Sequence, residues 1–230
     1  MVISGFQKLT LVDYPGYTAC LIFTQGCNFR CPFCHNRDLV NGMNSNNPID
    51  ENEILEYLDR RKGLIDGICI SGGEPLLQKD IAIFMRLVKS KGYKVKLDTN
   101  GSKPKILKKL IEDGLVDYVA MDVKNCFSKY NQTSGVNNIE VNNIKESIEI
   151  LKNSNIDFEF RTTVVKELHC FEELKQICDY LGPKVKYNLQ NYRDCKTVLV
   201  SGYHGFEKEE LMSIKNELNK NYPNVCVRGI

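Results

Sequence analysis

The chain has 230 residues, 42% of them hydrophobic and 26% charged, which predicts a single domain, 1–230, with a sizeable buried core. Its 31 basic and 29 acidic residues give a net charge of +2, which argues against nucleic acid or an anionic membrane as the main partner. No apolar run reaches membrane-spanning length, and the first residues do not resemble a signal peptide. Ten cysteines in a chain without a recognisable export signal indicate a reducing compartment. We therefore expect the protein to be cytoplasmic and to have no disulfide framework.

Strand-like and helix-like segments alternate along the chain. Apolar, β-branched runs predict six strands, at 18–24, 67–71, 94–100, 118–124, 158–165 and 185–192. Helical spacing of apolar residues predicts six helices, at 49–61, 81–91, 103–113, 139–153, 171–181 and 208–219. This alternation favours an α/β fold with parallel strands and right-handed crossovers. We predict a partial (β/α)6 barrel, with a doubly wound open sheet as the second choice.

Three further segments complete the predicted organisation. Residues 5–15 are expected to form an extra hairpin or cap, and residues 224–229 an edge strand. The polar run 41–48 reads as a loop within the domain and not as a hinge between domains.

Three cysteines crowd into one loop after the first predicted strand. Cys27, Cys31 and Cys34 have the spacing CxxxCxxC, and the loop has no fourth cysteine at ligand spacing. Three thiolates can hold three irons of a [4Fe–4S] cluster, whereas electron-transfer clusters usually have four cysteine ligands. The loop therefore predicts a cluster with one iron open to a substrate or cofactor. The alternative is a zinc site that adds His35, but structural zinc sites usually combine two separated ligand pairs.

Polar residues mark the predicted strand ends after the cysteine loop. They are Gly72-Gly73-Glu74, Asp98-Thr99-Asn100, Asp122 with Lys124, Arg161, and Gln190 with Asn191. In parallel barrels and open α/β sheets, functional sites gather at the carboxyl ends of the strands. The plainer explanations are an ordinary strand-to-helix turn for Gly72-Gly73-Glu74, surface turns for Asp98-Thr99-Asn100 and for Asp122 with Lys124, and a solvent-facing residue of an edge strand for Arg161. Their repetition at successive strand ends favours one shared site.

These motifs together resemble the radical S-adenosylmethionine (SAM) enzymes, and in particular the activating proteins of anaerobic ribonucleoside-triphosphate reductase. The superfamily signature is CxxxCxxC with an aromatic residue, Phe33, before the last cysteine. The Gly-Gly-Glu-Pro, Asp-Thr-Asn-Gly and Asp-Val-Lys motifs and the pair His35-Asn36 are similar to glycyl-radical enzyme activators. The first residues, 6–16, and the last, 225–229, resemble the reductase-activator branch.

The resemblance implies a radical SAM barrel and a set of cofactor-binding residues. Cys27, Cys31 and Cys34 would hold the [4Fe–4S] cluster, and SAM would chelate its open iron. Glu74 would accept a hydrogen bond from the amino group of SAM. The full set expected around the cofactors is Phe33, Gly72, Gly73, Glu74, Asp98, Thr99, Asn100, Asp122, Lys124, Arg161 and Gln190. A monovalent cation is expected near Asp98, Thr99 and Asp122, and no catalytic side chain is expected beyond the cluster and SAM.

The resemblance also implies the reaction and the partners. A flavodoxin or ferredoxin would reduce the cluster, and SAM would be cleaved to methionine and a 5′-deoxyadenosyl radical. That radical would install a glycyl radical on the large subunit of anaerobic ribonucleotide reductase. The alternatives are an activator of another glycyl-radical enzyme of the pyruvate formate-lyase type, a small-molecule radical SAM enzyme such as a deazaguanine synthase, and a zinc-binding interaction module.

Overall fold

A computed structural model describes residues 1–41 and 48–230, so most of the polar loop predicted over 41–48 lies outside the described residues. The described strands are β1 (Ile3–Thr10), β2 (Ala19–Thr24), β3 (Gly67–Gly72), β4 (Lys94–Thr99), β5 (Tyr118–Asp122), β6 (Asp157–Val164), β7 (Tyr187–Asn191) and β8 (Val225–Arg228). The described helices are α1 (Arg37–Asn41), α2 (Glu51–Arg60), α3 (Ile81–Ser90), α4 (Pro104–Glu112), α5 (Tyr130–Ser134), α6 (Val141–Lys152), α7 (Phe171–Leu181) and α8 (Lys208–Leu218).

The strands form one sheet in chain order, from β1 at one edge to β8 at the other. Strands β2 to β8 pair in parallel, and β1 pairs antiparallel with β2. Strands β2 to β7 with their crossovers are the predicted six units, which confirms the partial (β/α)6 barrel. The expected hairpin over 5–15 is β1 with its turn into β2, and the expected edge strand over 224–229 is β8.

The strand register brings the carboxyl ends of the parallel strands to one rim. Thr24 pairs with Gly72, and Thr99 pairs with Met121. Asp122 then pairs with Arg161 on β6. Because parallel strands all end at the same side of a sheet, the polar residues after them share this rim.

The two faces of the sheet pack differently. Residues such as Ile68, Val95 and Val119 are fully buried and belong to the large core that includes the buried faces of the helices. A second, smaller apolar cluster consists of Tyr14, Ala19, Leu21, Cys69, Tyr118 and Ala120. Since side chains alternate between the faces of a strand, this second cluster fills the inside of the barrel at the amino ends of β2, β3 and β5. The space between this plug and the rim is left for polar side chains.

The long helices follow their sequence pattern, whereas the short ones do not. Helix α2 begins after Asp50, whose side chain accepts a hydrogen bond from the Asn52 N–H, and it buries Ile54 and Leu58 at helical spacing. Helices α1 and α5 have five residues each and lie in connections that carried no periodic signal. No helix in residues 1–41 and 48–230 combines the length and apolar character needed to cross a membrane.

Candidate functional site

A cavity of about 270 Å³ opens at the rim formed by the carboxyl ends of β2 to β7. It is lined by all three loop cysteines and by ten of the predicted cofactor-binding residues: Phe33, Gly72, Gly73, Asp98, Thr99, Asn100, Asp122, Lys124, Arg161 and Gln190. The sequence prediction thus selects residues that share one cavity, although they come from six different strand ends.

The cysteine loop is held by backbone hydrogen bonds rather than by regular secondary structure. The Phe29 N–H donates to the Cys27 Sγ at 3.3 Å, and the Cys34 N–H donates to the Cys31 oxygen at 3.0 Å. The Arg30 N–H donates to the Ser134 oxygen at 2.8 Å and so ties the loop to α5. The rings of Phe29 and Phe33 are buried. The three thiols therefore lie on a loop that is fixed by these hydrogen bonds and by its buried aromatic rings.

The donor set of this loop fits an iron–sulfur cluster. Burial raises the pKa of Cys27 to about 11 and that of Cys31 to about 12, so both are thiols at neutral pH until a metal binds and displaces their protons. Within the described ranges, no three histidine, cysteine or acidic side chains converge closely enough to share one metal ion. A cubane cluster takes one thiolate per iron, so its ligands have no need to converge on a single point.

A segment after β7 clamps the cysteine loop from outside. The Leu199 N–H donates to the Cys34 oxygen at 2.9 Å, and the Val200 N–H donates to the Pro32 oxygen at 2.8 Å. The His35 ring stacks on Tyr192, with centroids 5.3 Å apart.

The His35 Nε2 lies 2.6 Å from the Arg193 carbonyl oxygen, which can only accept, so Nε2 carries the proton. His35 thus bonds to the segment after β7 and not toward the three cysteines, which disfavours the zinc alternative.

The paired glycines bring two protein segments together. A Cβ on Gly72 would lie 2.3 Å from the Thr24 nitrogen, and a Cβ on Gly73 would lie 2.0 Å from the Gly26 oxygen. Both glycines also line the cavity. Glycine is therefore required at both positions because the end of β3 packs directly against the start of the cysteine loop. The sequence prediction did not include this role.

Glu74 occupies a different position from the one expected. Its side chain is fully buried and does not line the cavity. One carboxylate oxygen accepts from the Leu76 N–H at 3.0 Å and the Thr99 hydroxyl at 2.8 Å, and the other accepts from the Asn100 N–H at 2.7 Å. Glu74 therefore joins the end of β3 to the end of β4 from behind the cavity wall. The predicted contact between Glu74 and the amino group of SAM does not agree with this position.

A chain of ion pairs forms the opposite wall of the cavity. The Arg161 Nε contacts the Asp122 Oδ1 at 2.9 Å, and its Nη1 lies 3.5 Å from the Asp98 Oδ2. The Lys124 Nζ contacts the Asp122 Oδ2 at 3.0 Å. Burial acts to raise the pKa of Asp122, but the cations of Arg161 and Lys124 outweigh it and hold that pKa at about 2. Burial lowers and Asp122 raises the pKa of both basic groups, and the net shift is upward. All three groups are therefore charged at neutral pH.

Asn100 connects the two walls. Its Nδ2 donates to the Asn28 Oδ1 at 3.0 Å and lies 4.0 Å from the Cys27 Sγ. The Asn28 Nδ2 in turn donates to the Ser102 hydroxyl at 2.9 Å. Hydrogen bonds to cluster sulfurs change the reduction potential of a cluster. Asn100 is thus placed both to fix the cysteine loop and to tune a cluster held there.

Several residues around the site lie outside the predicted cofactor-binding set. The additional cavity-lining residues are Phe29, His35, Asn36, Val40, Ser71 and Thr163. Lys96 lies below the cavity and contacts Asp98. The alternation Lys94, Lys96, Asp98 on one strand face was a signal that could have found it.

His169 is also buried beside the site. The Val165 N–H donates to its Nδ1 at 3.1 Å, so its Nε2 donates to the Lys124 oxygen at 2.9 Å. No local sequence pattern indicates this role. Asn191, by contrast, bonds to the backbone of Phe206 and does not line the cavity.

Fold and site together define a class of protein: an α/β enzyme with a partial parallel barrel, a three-thiol metal loop and a charged cofactor wall at the carboxyl rim. Residues 21–181 match the model of the radical SAM superfamily. The chain belongs to the radical SAM superfamily, whose members use a [4Fe–4S] cluster and SAM. It is therefore a radical SAM enzyme, and the cysteine loop with the rim cavity is the candidate site for the cluster and SAM.

Relatives within the superfamily narrow this description. A Methanocaldococcus jannaschii protein provisionally named a glycyl-radical enzyme activating enzyme is 36% identical over 195 residues, which cover 83% of this chain and 80% of that protein. The pyruvate formate-lyase-activating enzyme of Clostridium pasteurianum is 34% identical over 127 residues, 53% of this chain and 52% of that enzyme. Streptococcus suis SuiB bound to S-adenosylmethionine shares the fold, with a TM-score of 0.65 and 18% identity over 90% of this chain and 49% of SuiB.

Proposed function

We propose that this protein uses SAM and a cluster held by Cys27, Cys31 and Cys34 to install a glycyl radical on anaerobic ribonucleoside-triphosphate reductase. When bound, the cluster and SAM supply a 5′-deoxyadenosyl radical that removes one hydrogen atom from the partner's glycine. The observation that carries the proposal is the convergence of three thiols and four charged side chains on one cavity at the strand rim. The relatives named for glycyl-radical enzyme activation support this reaction class.

The thiol side of the cavity suits a redox cluster that a partner protein must reach. Cys31 is buried, whereas Cys27 and Cys34 are partly exposed. The reducing cytoplasm predicted from the cysteine content would keep all three as thiols. We propose flavodoxin or ferredoxin as the electron donor, because the chain has a single CxxxCxxC loop and no second one to relay electrons.

The charged side of the cavity suits the methionyl and ribosyl parts of SAM. Lys124 and Arg161 can bind a carboxylate, and the remaining lone pairs of Asp98 and Asp122 can accept hydrogen bonds from neutral hydroxyl groups. Gln190, from β7, adds an amide that can bind the ribose or adenine. These side chains would orient SAM against the cluster before the partner's glycine arrives.

The open sheet offers a route for that glycine. The sheet runs in order from β1 to β8, and these two strands are its edges. These two edges do not pair with each other within the described residues, whereas a closed eight-stranded barrel would present only its rim. We propose that the glycine-bearing loop of the reductase enters by this route.

The predicted monovalent cation near Asp98, Thr99 and Asp122 does not fit the residues present. Both carboxylates already contact side-chain cations, and the Thr99 hydroxyl donates to Glu74. A bound alkali ion is therefore not part of the proposed mechanism.

The test is electron paramagnetic resonance on anaerobic mixtures. Protein reconstituted with iron and sulfide is incubated with SAM, a one-electron reductant and the large subunit of the reductase. We expect a glycyl radical on the reductase that requires all components and disappears when the reductase glycine is replaced by alanine. A radical that forms only on another partner would refute the reductase assignment.

Pyruvate formate-lyase is the second candidate target, because one similar enzyme is named for it. The same experiment therefore includes a parallel arm with that enzyme. A glycyl radical in this arm alone would retain the reaction and change the partner. SAM cleavage without a radical on either protein would instead favour a small-molecule substrate.

A further inference from the structure

A buried lysine, Lys96, lies on β4 below the cavity. Alternation along the strand places Lys94, Lys96 and Asp98 on one face. The side chain of Lys96 is only 2% exposed, which lysine almost never reaches unless its ammonium is paired. Its Nζ contacts the Asp98 Oδ1 and lies 6.0 Å from the centroid of the Tyr118 ring, which belongs to the apolar plug inside the barrel.

Lys96 completes the pairing of the acidic residues on the cavity wall. The two oxygens of Asp98 contact Lys96 and Arg161. The two oxygens of Asp122 contact Arg161 and Lys124. Each carboxylate oxygen thus has a side-chain cation beside it, and these two acids and three bases together carry one net positive charge.

An alkali cation at this place would meet both repulsion and a shortage of ligands. Alkali ions bind oxygen atoms, and the nearest anionic oxygens are already in contact with ammonium and guanidinium groups. The nearby buried carboxylate of Glu159 is itself paired with Arg228, so it does not offset the net positive charge of this region. A further positive charge would therefore enter a partly buried region whose side chains already sum to a positive charge, where charges are weakly screened. Without the Lys96 ammonium, the Asp98 Oδ1 would be open and the region neutral, which is the condition under which an alkali ion can bind.

We infer that Lys96 supplies, from within the chain, the positive charge that an alkali cation would otherwise supply beside Asp98. SAM binding by this protein therefore needs no added monovalent cation. This inference rests on the proposed function only in that SAM is taken to occupy the rim cavity. It concerns binding, and it does not depend on which protein receives the radical.

The first test uses the unmodified protein. The SAM dissociation constant of the cluster-loaded protein is measured by equilibrium dialysis in potassium and in tetramethylammonium salts of equal ionic strength. We expect the two constants to agree within about twofold, because no alkali ion takes part. A loss of about tenfold or more on replacing potassium would overturn the inference.

The second test removes the ammonium in two ways. Lys96→Ala leaves space beside Asp98, whereas Lys96→Met keeps the length of the side chain and leaves none. In tetramethylammonium we expect both variants to bind SAM about 10-fold more weakly, because Asp98 at the cavity wall would lose the cation that neutralises and fixes it. Potassium or sodium should restore Lys96→Ala and not Lys96→Met. Undiminished binding by Lys96→Ala in tetramethylammonium would contradict the inference.

Thermal unfolding of the same variants supplies a readout that needs no SAM. Potassium should raise the Tm of Lys96→Ala by mass action and leave the Tm of the unmodified protein unchanged. Lys94→Ala is the matched control, because Lys94 lies on the same strand face but contacts the Tyr17 ring instead of a cavity carboxylate. If the unmodified protein binds no SAM in either salt, the proposed function fails, while the unfolding experiment still decides the role of Lys96.

Discussion

The two walls of the rim cavity obtain their charge in different ways. On the thiol wall, burial raises the pKa of Cys27 to about 11 and of Cys31 to about 12, so these two thiols are neutral in the free chain. The opposite wall stands on β4, β5 and β6 and carries charges that are paired with each other before any cofactor arrives. The thiol wall therefore depends on its metal for its charge, whereas the charged wall is preorganised by the fold.

Removal of one thiol tests the thiol wall and has the largest expected effect. In Cys31→Ser we expect loss of the cluster and of SAM cleavage, because three thiolates are the only cysteine ligands in the loop. Iron and sulfide assays after anaerobic reconstitution measure the loss. Cys226→Ser, at an exposed cysteine of β8, is the control and should keep its iron. About eight irons per chain in the unmodified protein would contradict a single cluster.

Arg161→Met tests the charged wall, because it removes the cation that both Asp98 and Asp122 contact. We expect the free energy of unfolding to fall by about 2 to 4 kcal/mol, below the full cost of a broken buried pair because Asp122 is 29% exposed. Urea denaturation at neutral pH measures this fall. Arg86→Met removes an exposed pair with Asp113 and should change the free energy by less than about 1 kcal/mol. Equal effects of the two substitutions would show that the charged wall adds nothing to the fold.

The same network of ion pairs predicts that the free energy of unfolding decreases at acidic pH. The pKa of Asp122 is held at about 2 in the folded protein, below its ordinary value of 3.8. Its contribution to stability is therefore present above pH 3.8 and is lost as the pH falls toward 2. In Arg161→Met this loss should be smaller, because the shift that causes it is reduced. Unfolding free energies of both proteins between these pH values check the sign.

Glu74 differs from Asp122 in how its charge is balanced. It lies behind the cavity wall, where it joins β3 to β4, and burial disfavours its ionised form. Burial raises its pKa to about 7, against three donors that lower it. The stability that it contributes is thus present below its ordinary pKa of 4.5 and declines as the pH rises toward 7.

Glu74→Gln lacks this titration. The stability of the unmodified protein relative to this variant should fall with rising pH, by up to about 3 kcal/mol. A relative stability that rises instead would show that the donors from Leu76, Thr99 and Asn100 outweigh burial.

The smallest expected effect concerns Asn100, which joins the two walls. In Asn100→Leu the Cys27 sulfur loses a weak donor, so we expect the cluster potential to fall by roughly 20 to 40 mV. A redox titration followed by electron paramagnetic resonance measures the shift. Ser102→Ala is the control, since Ser102 belongs to the same hydrogen-bond network but does not contact the sulfur. An equal shift in the control would assign the effect to loop position rather than to the sulfur bond.

Much of the site could be predicted from the sequence because its signals are local. The spacing of Cys27, Cys31 and Cys34 needs only one loop, and strand-helix alternation implies that strand ends share a rim. That reasoning brought Asp98, Asp122 and Arg161 to one cavity correctly, although it left their pairing open. It misjudged Glu74, because a carboxylate beside a glycine pair can turn toward the cavity or toward the next strand, and only packing selects between them.

The sequence by itself determined the parallel barrel, the three-cysteine loop and the list of polar groups at the rim, since these follow from residue spacing and from the direction of parallel strands. The tertiary structure alone decided which group each polar atom contacts: Lys96 on Asp98, Arg161 between two acids, His169 on the Lys124 backbone. These choices depend on distances between segments far apart in the chain. In a buried site every charge must find a partner, and that partner is set by the packing of the whole barrel.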